Sequence, residues 1–335
     1  MTTPSTHALE LQASTFRDCF VQLRSEIGRV FVGQASVVED LLLCFFCQGH
    51  GLIEGAPGLG KTLLVRSLAE AVNLRFARVQ CTPDLMPADI TGTNIVVDGG
   101  SGLRTFAFQP GPIFANIVLA DELNRATPRT QSAFLEAMQE RQVTVFGDTR
   151  PIEPPFSVFA TQNPIEMEGT YPLPEAQLDR FFFKLTINVP DVTELAEILA
   201  RTTGDVPPRI TRLFGAELAQ SFFALIRQVK IADPVLHYAL RIVRATHPEL
   251  PEAPESARRY VLYGASPRGA QAMVLSAKAL ALLAGRFHVS AEDIRRVVPP
   301  ALGHRIIRNF HAEMERVSTA TIVRDVVAGC AEPQR

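Results

Sequence analysis

The apolar positions of the chain follow two rhythms, and the change from one to the other divides it. Phe16, Phe20, Leu23 and Ile27 recur at helical spacing and predict a first amphipathic helix, and a second runs from about Ser36 to Cys47. Gly51-Leu52-Ile53-Glu54 reads as a short buried strand that runs into a glycine-rich turn, after which Leu64, Leu68 and Val72 share one helical face. From Leu74 to Phe183, strand-like runs alternate with helical stretches, the pattern of a mostly parallel sheet with helices on its faces. Ile117 to Ala120 and Phe156 to Ala160 are the buried runs. Between them Thr127 is an N-cap and Pro128 a first helical residue, with Ala133, Phe134, Ala137 and Met138 on one side. Two interruptions, at about 91–108 and 142–155, alternate as β-hairpins. In the first, Ile95 to Val97 and Leu103 to Phe108 flank the turn-rich Asp98 to Gly102. In the second, Val143 and Val145 precede Gly147-Asp148, a favoured two-residue turn, and Pro151 confines the returning strand to an edge.

Past Val189-Pro190-Asp191 the pattern is almost wholly helical, broken at Gly204 to Pro208 and again at Pro248 to Pro254. Ser290 to Asp293 is a capping box for a late helix. The expected fold is α/β: an αβα core with a parallel sheet and two hairpin insertions over 1–190, then a linker and a smaller all-α domain over 191–335. No repeat of 20–50 residues is present.

Composition narrows the function. A formal net charge of −2 over 335 residues gives no overall basic field for nucleic acid or anionic membrane. No apolar run approaches the ~18 residues of a membrane span. Met1 to Leu11 lack the basic start and apolar core of a signal peptide, which predicts a cytoplasmic protein. Five scattered cysteines make no disulfide framework, and Cys44-Phe-Phe-Cys47 sits in an apolar helical run where packing explains it better than metal or redox chemistry.

Gly55-Ala56-Pro57-Gly58-Leu59-Gly60-Lys61-Thr62, with Leu63 next, fits G-x-x-x-x-G-K-[ST] between a strand and a helix. Glycines let successive N–H groups curl round a phosphate, and the helix presents its positive end. Lys61 supplies charge for the β- and γ-phosphates of ATP, and Thr62 a hydroxyl for Mg²⁺. Ile117 to Ala120 runs into Asp121-Glu122, and a buried strand end is a costly place for two acids unless a cation or a reacting water needs them. Asp121 is the expected second Mg²⁺ ligand and Glu122 the general base. Three further residues are less specific. Asn163 ends the strand from Phe156 and reads first as an ordinary Asn-Pro turn, the alternative being a group that orients the attacking water. Arg180 beside Asp179 reads first as a surface ion pair. Arg268 sits in the first turn of an apolar helix, a poor place for a cation without an anion nearby.

Beyond these motifs the chain resembles the MoxR group of AAA+ ATPases, from Val32-Gly33-Gln34 to about His304-Arg305-Ile306. The likeness rests on Thr82-Pro83-Asp84-Leu85, Gln109-Pro110-Gly111-Pro112, Ala137 to Gln142, Ala160 to Pro164, Glu168 to Phe181, Gly264 to Arg268 and Pro299-Pro300. The resemblance implies a helical lid, a nucleotide between core and lid, and a ring of six subunits. It matches Asn163 to sensor 1, Arg268 to sensor 2 and Arg180 to the arginine finger that reaches the neighbour's γ-phosphate. It also matches Val32 and Gly33 to the adenine-lining segment, and the two hairpins to inserts facing the pore. Such proteins remodel or activate a client, often one with a von Willebrand A domain, or assist metal insertion. Rival expectations are the ATPase subunit of a metal chelatase, which shares both inserts, a motor acting on DNA, and a nucleotide-gated scaffold that does not hydrolyse.

Overall fold

A computed structural model describes residues 6–99, 103–163, 169–204 and 209–333. Five parallel strands form the central sheet: β1 (Gly51–Glu54), β2 (Phe76–Gln80), β3 (Ile117–Asp121), β4 (Ser157–Gln162) and β5 (Phe183–Thr186), in the order β2-β3-β4-β1-β5. Every residue of β3 is buried. Crossover connections bring all five strands into one direction, so the loops after β1, β3 and β4 emerge along one edge, the exit edge. Glu54 lies opposite Gln162 and Gln80 opposite Asp121 in the register there. In open sheets of this kind a ligand binds outside such carboxyl ends.

The helices that cover the sheet follow their caps. α1 (Thr6–Val30) buries Phe16, Phe20, Leu23 and Ile27 as their spacing predicts, and α2 (Ala35–Phe46) buries most of its length. α3 (Lys61–Ala71) starts directly after Gly60. α4 (Pro128–Glu140) starts with Thr127 Oγ1 accepting from the Thr130 N–H and stops where Arg141 turns left-handed, φ 51°.

The first hairpin pairs Gly92–Gly99 with Leu103–Pro110, longer at both ends than its apolar alternation suggests, and its tip at 100–102 lies outside the described residues. The second pairs Gln142–Val145 with Asp148–Pro151, so its turn is Phe146-Gly147 and not Gly147-Asp148. Both turn residues have positive φ (53° and 88°), the geometry that suits the twist of a two-residue hairpin. This register sets Arg150 opposite Val143 and lays its guanidinium 3.9 Å from the centre of the Phe108 ring, which ties one hairpin to the other.

After the sheet come α5 (Val192–Thr202), α6 (Ala216–Gln228), α7 (Asp233–Ala245), α8 (Pro267–Leu283), α9 (Ala291–Leu302) and α10 (Thr319–Gly329). Ser290 and Asp293 cap α9 reciprocally, as their spacing predicts. A two-stranded ribbon, Val261–Tyr263 with Ile307–Arg308, joins the helical region at its far side. This region does not stand apart. Phe16 of α1, Phe46 of α2 and Phe222 of α6 meet edge to face with ring centres 5.2–6.0 Å apart, and one continuous apolar core runs from α1 and α2 into α6, α8 and α9. Cys44 and Cys47 lie inside it, their thiols pushed up by burial, Cys47 to about 12. Among the described residues no helix is long and apolar enough to cross a membrane.

Candidate active site

Lys61, Thr62, Asp121 and Glu122 meet along the exit edge of the sheet. Gly58 and Gly60 take φ of 81° and 80°, which lets the loop after β1 fold under the start of α3. Lys61 Nζ donates to the carbonyls of Gly55 and Ala56, 2.8 Å each, so the ammonium is held over the mouth of that loop. Thr62 Oγ1 lies 3.4 Å from Asp121 Oδ2. Leu59 packs against the core, whereas Leu63 is 43% exposed at the rim, on the outward side of α3.

Asp121 is 7% exposed and fully engaged. Arg78 on β2 reaches its Oδ2 with Nε at 2.9 Å and Nη2 at 2.7 Å, and Thr161 on β4 donates to Oδ1 at 2.7 Å. The next residue leaves the strand abruptly. Glu122 has φ 56° and ψ 50°, a left-handed conformation that costs a non-glycine residue about 1–2 kcal/mol. Its N–H donates to the same Thr161 hydroxyl at 2.7 Å, which offsets that cost and fixes the turn. The turn takes the Glu122 side chain out of strand alternation, so both carboxylates face the exit edge. Gln80 Nε2 and Arg125 Nη1 each hold Glu122 Oε2 at 3.1 Å. Asn163, two residues after Thr161, is 4% exposed at the end of β4. Cys81 lies beneath the two acids, and burial, then their charge, pushes its thiol up to about 12.

Arg78, Gln80, Arg125 and Thr161 were absent from the expected set. Arg78 and Gln80 are two apart on β2 and so share a face, and Thr161, on β4, lies two residues before Asn163, which follows the strand. That parity beside a strand ending in two acids is the signal that singles them out.

At the flank of the loop, Val32 is buried and Gly33 has φ 72°, and a Cβ on Gly33 would run into the carboxylate of Glu194 on α5. Gln34 exchanges two hydrogen bonds with the backbone of Asn188, at 3.1 and 2.8 Å, so this segment is tied to the chain that leaves β5.

Arg180 and Arg268 are elsewhere. Phe183 pairs with Gly51 at the start of β1 and Thr186 with Glu54 at its end. Arg180, three residues before Phe183, therefore sits at the entry edge of the sheet, while Gly55 follows the exit edge. A four-residue strand separates those edges by about 13 Å at ~3.3 Å per residue. Arg268 is at the same entry edge, with Nη1 3.2 Å from Asp179 Oδ2. The resemblance implies a nucleotide clasped between core and lid; in this subunit Arg268 pairs with Asp179 at the entry edge, while Gly55 follows the exit edge.

The set fits ATP: a loop of backbone donors with a lysine over it, a hydroxyl and a buried acid side by side, and a second acid held at its tip. Among the described residues no group of three His, Cys, Asp or Glu side chains is placed to hold a metal ion by itself; Thr62 and Asp121, side by side, are the residues that would hold Mg²⁺ together with the phosphates and water.

Known proteins agree with this geometry. Residues 50–183 match the ATPase family associated with various cellular activities (AAA), and residues 254–326 match the AAA lid domain. The chain is 40% identical over 309 residues to "Chaperone MoxR1" of Mycobacterium tuberculosis, spanning 92% of this chain and 81% of that protein. It is 33% identical over 315 residues to "Protein MoxR" of Paracoccus denitrificans, spanning 87% and 88%. A crystal structure of a candidate ATPase from Cytophaga hutchinsonii superposes with a TM-score of 0.89 at 38% identity, covering 97% of this chain and 98% of that one. The chain thus belongs to the MoxR-type AAA ATPases, enzymes that hydrolyse ATP on an α/β core followed by a helical lid.

Proposed function

We propose that this ATPase works as a ring of six copies in which each ATP lies between two subunits, and that the ring uses hydrolysis to remodel or activate a partner protein. One subunit supplies Lys61, Thr62, Asp121 and Glu122; the next supplies Arg180 and Arg268. The observation that supports this reading is that Arg180 and the Arg268–Asp179 pair lie at the entry edge, at the opposite end of the sheet from the loop of their own subunit.

In this reading the backbone of Gly55 to Gly60 and Lys61 cradle the phosphates, and Val32 and Gly33 flank the base. Thr62 and Asp121 hold Mg²⁺, which neutralises phosphate charge. Glu122 takes the proton of the attacking water while Asn163 orients that water. Gln80 and Arg125 keep the Glu122 carboxylate at the end of its left-handed turn, near the exit edge. Arg180 of the neighbour stabilises the charge that develops on the transferring phosphoryl group, a contribution of about 10³–10⁵ in rate for such arginines.

The chaperone role is supported by the name of the Mycobacterium relative and by the two hairpins, whose Phe106 and Phe146 are 79% and 77% exposed and present apolar surface to a client. A client with a von Willebrand A domain, and help with metal-cofactor maturation, are the specific forms we favour. Two rivals remain testable: a metal-chelatase subunit and a DNA motor. Steep salt-dependent binding to DNA would favour the motor.

The test is complementation. Lys61→Ala abolishes ATP binding in its own subunit, and Arg180→Ala disables hydrolysis in the neighbour. Each variant alone is inactive, and mixed rings recover part of the activity. Confirmed mixed rings that stay inactive overturn the shared site. A Glu122→Gln trap with bound ATP, used for pull-down and mass spectrometry, identifies the client.

A further inference from the structure

The turn that carries Arg180 is held by the helical region as well as by the core, where the Phe182 N–H donates to the His50 carbonyl at 2.7 Å. Arg305, just past α9, is 6% exposed and spends all five of its N–H donors on this one turn and its support. Nε donates to Asp179 Oδ1 at 3.0 Å. Nη2 donates to the carbonyls of Asp179 and Phe181 at 3.1 and 2.6 Å. Nη1 donates to the carbonyls of Phe182, at 3.2 Å, and Ala301. Asp179 in turn accepts from two more residues of the helical region, Ser266 Oγ at 2.6 Å and Arg268 Nη1 at 3.2 Å. His304 Nε2 bonds the Phe181 carbonyl at 2.9 Å.

Three neighbouring facts support a dedicated clamp. A Cβ on Gly269 would come within 2.6 Å of Leu302 and 3.3 Å of the Arg305 side chain, so glycine is what lets α8 close on α9 around this arginine. Burial pulls Arg305 down to about 10 while Asp179 holds it up, so it remains a cation at neutral pH and cannot shed the charge that fixes it. Arg180 itself has few polar contacts: Nη1 is 3.4 Å from the Leu135 carbonyl, and the buried Nε has no hydrogen-bond partner among the described residues. The backbone at its base carries the clamp's hydrogen bonds, and its guanidinium is left with one long one.

We propose that Arg305, acting through Asp179 and the carbonyls of 179–182, is a positioning residue that sets the reach of Arg180, so that the lid of one subunit governs hydrolysis in the next. The inference rests on the reading of Arg180 as a residue that acts on the neighbour. The planar fork of arginine is essential to it, because four carbonyl contacts and an ion pair are made in two directions from one group. Lysine keeps the charge and loses that geometry. A misplacement of about 1 Å at a reacting group is worth about 10² in rate.

Arg305→Lys tests the clamp, with Asp179→Asn as a second, milder variant. The expected result is ATP binding and ring assembly as in the parent, KM unchanged, and kcat lower by about 10²-fold. Mixing supplies the readout that a general loss of structure would not give. Subunits carrying Arg305→Lys are rescued by Lys61→Ala subunits, whose fingers are intact, and are not rescued by Arg180→Ala subunits. The reverse pattern, rescue by Arg180→Ala alone, would place the effect of Arg305 on its own subunit's nucleotide and overturn the proposal. Unchanged kcat in both variants overturns it as well. The control mixture of Lys61→Ala with Arg180→Ala separates the two levels: if it fails, the shared site itself is wrong, and if it succeeds while Arg305→Lys with Lys61→Ala fails, only the clamp is wrong. Should Arg305→Lys fail to bind ATP, Asp179→Asn decides the question by the same two mixtures.

Discussion

The exit and entry edges of one sheet are built in contrasting ways. At the exit edge, Asp121 and Glu122 are held by Arg78, Gln80, Arg125 and Thr161, all from the strands and turns of the core. At the entry edge, the Asp179 carboxylate and the carbonyls round Arg180 accept from Ser266, Arg268, His304 and Arg305, all from the helical region, while the core holds the Phe182 N–H through the His50 carbonyl. On our proposal of a shared site, the acids of the half that accepts a nucleotide are held within the core, whereas the half offered to a neighbour draws on the lid. Damage to the first should stay in its own subunit, and damage to the second should appear next door.

The largest effect expected is that of Arg180→Ala, which lowers kcat by about 10³–10⁵ with ATP affinity retained. Steady-state kinetics beside equilibrium nucleotide binding would show it, and weaker binding at unchanged kcat would erase the contrast between the edges. Glu122→Gln should cost about 10²–10⁴ in the chemical step and leave ATP bound through single-turnover measurements. Near-normal turnover would remove Glu122 as the base. Thr161→Val strips the acceptor from the Glu122 N–H and the donor from Asp121 Oδ1 together, for about 1–3 kcal/mol of stability. Its lost activity should be recovered by mixing with Arg180→Ala subunits and not with Lys61→Ala subunits, the opposite of a lid variant.

A further contrast separates the edges by acid. Val158 N–H donates to His50 Nδ1 at 2.9 Å, so Nε2 carries the proton and donates to the Met138 carbonyl at 3.0 Å. Burial pulls His50 down to about 4 from an ordinary value near 6.5, and burial also pulls His304 well below that ordinary value. The unfolded chain takes up these protons first, so stability is intact above pH 6.5 and is lost as pH falls towards 4, by about 3 kcal/mol for His50 alone. Both histidines sit at the entry edge, where the His50 carbonyl also accepts from the Phe182 N–H at 2.7 Å. Hydrogen exchange at pH 5 should open the amides near Phe182 before that of Glu122 at the exit edge, and equal protection would dissolve the difference.

Much of the exit edge can be read in the sequence because its chemistry is local. A glycine loop, a lysine and two acids after an apolar strand each declare themselves within a few residues. Arg78 escapes that reading because an arginine on a short edge strand looks like any solvated face, and only the pairing of Gln80 with Asp121 shows what it faces. The clamp on Arg180 is less legible still. Arg305 is 126 positions from Asp179, and most of its partners are carbonyl oxygens, which leave no mark on residue identity. Helical periodicity likewise shows that Phe16 and Phe46 point inwards, but not that Phe222 waits there. The hairpin turn lies at Phe146-Gly147, one position before the expected Gly147-Asp148, because glycine-aspartate is itself a favoured turn pair and nothing local to the sequence separates the two registers.

The cluster of Phe16, Phe46 and Phe222 also limits how such chains can be recombined. A lid exchanged between relatives without α1 and α2 would arrive with its aromatic seam unmatched, and a chain cut after Thr186 would leave Phe16 and Phe46 facing water. The heritable module is the whole span from α1 to α10, and a working chimaera must exchange its first and last helices together.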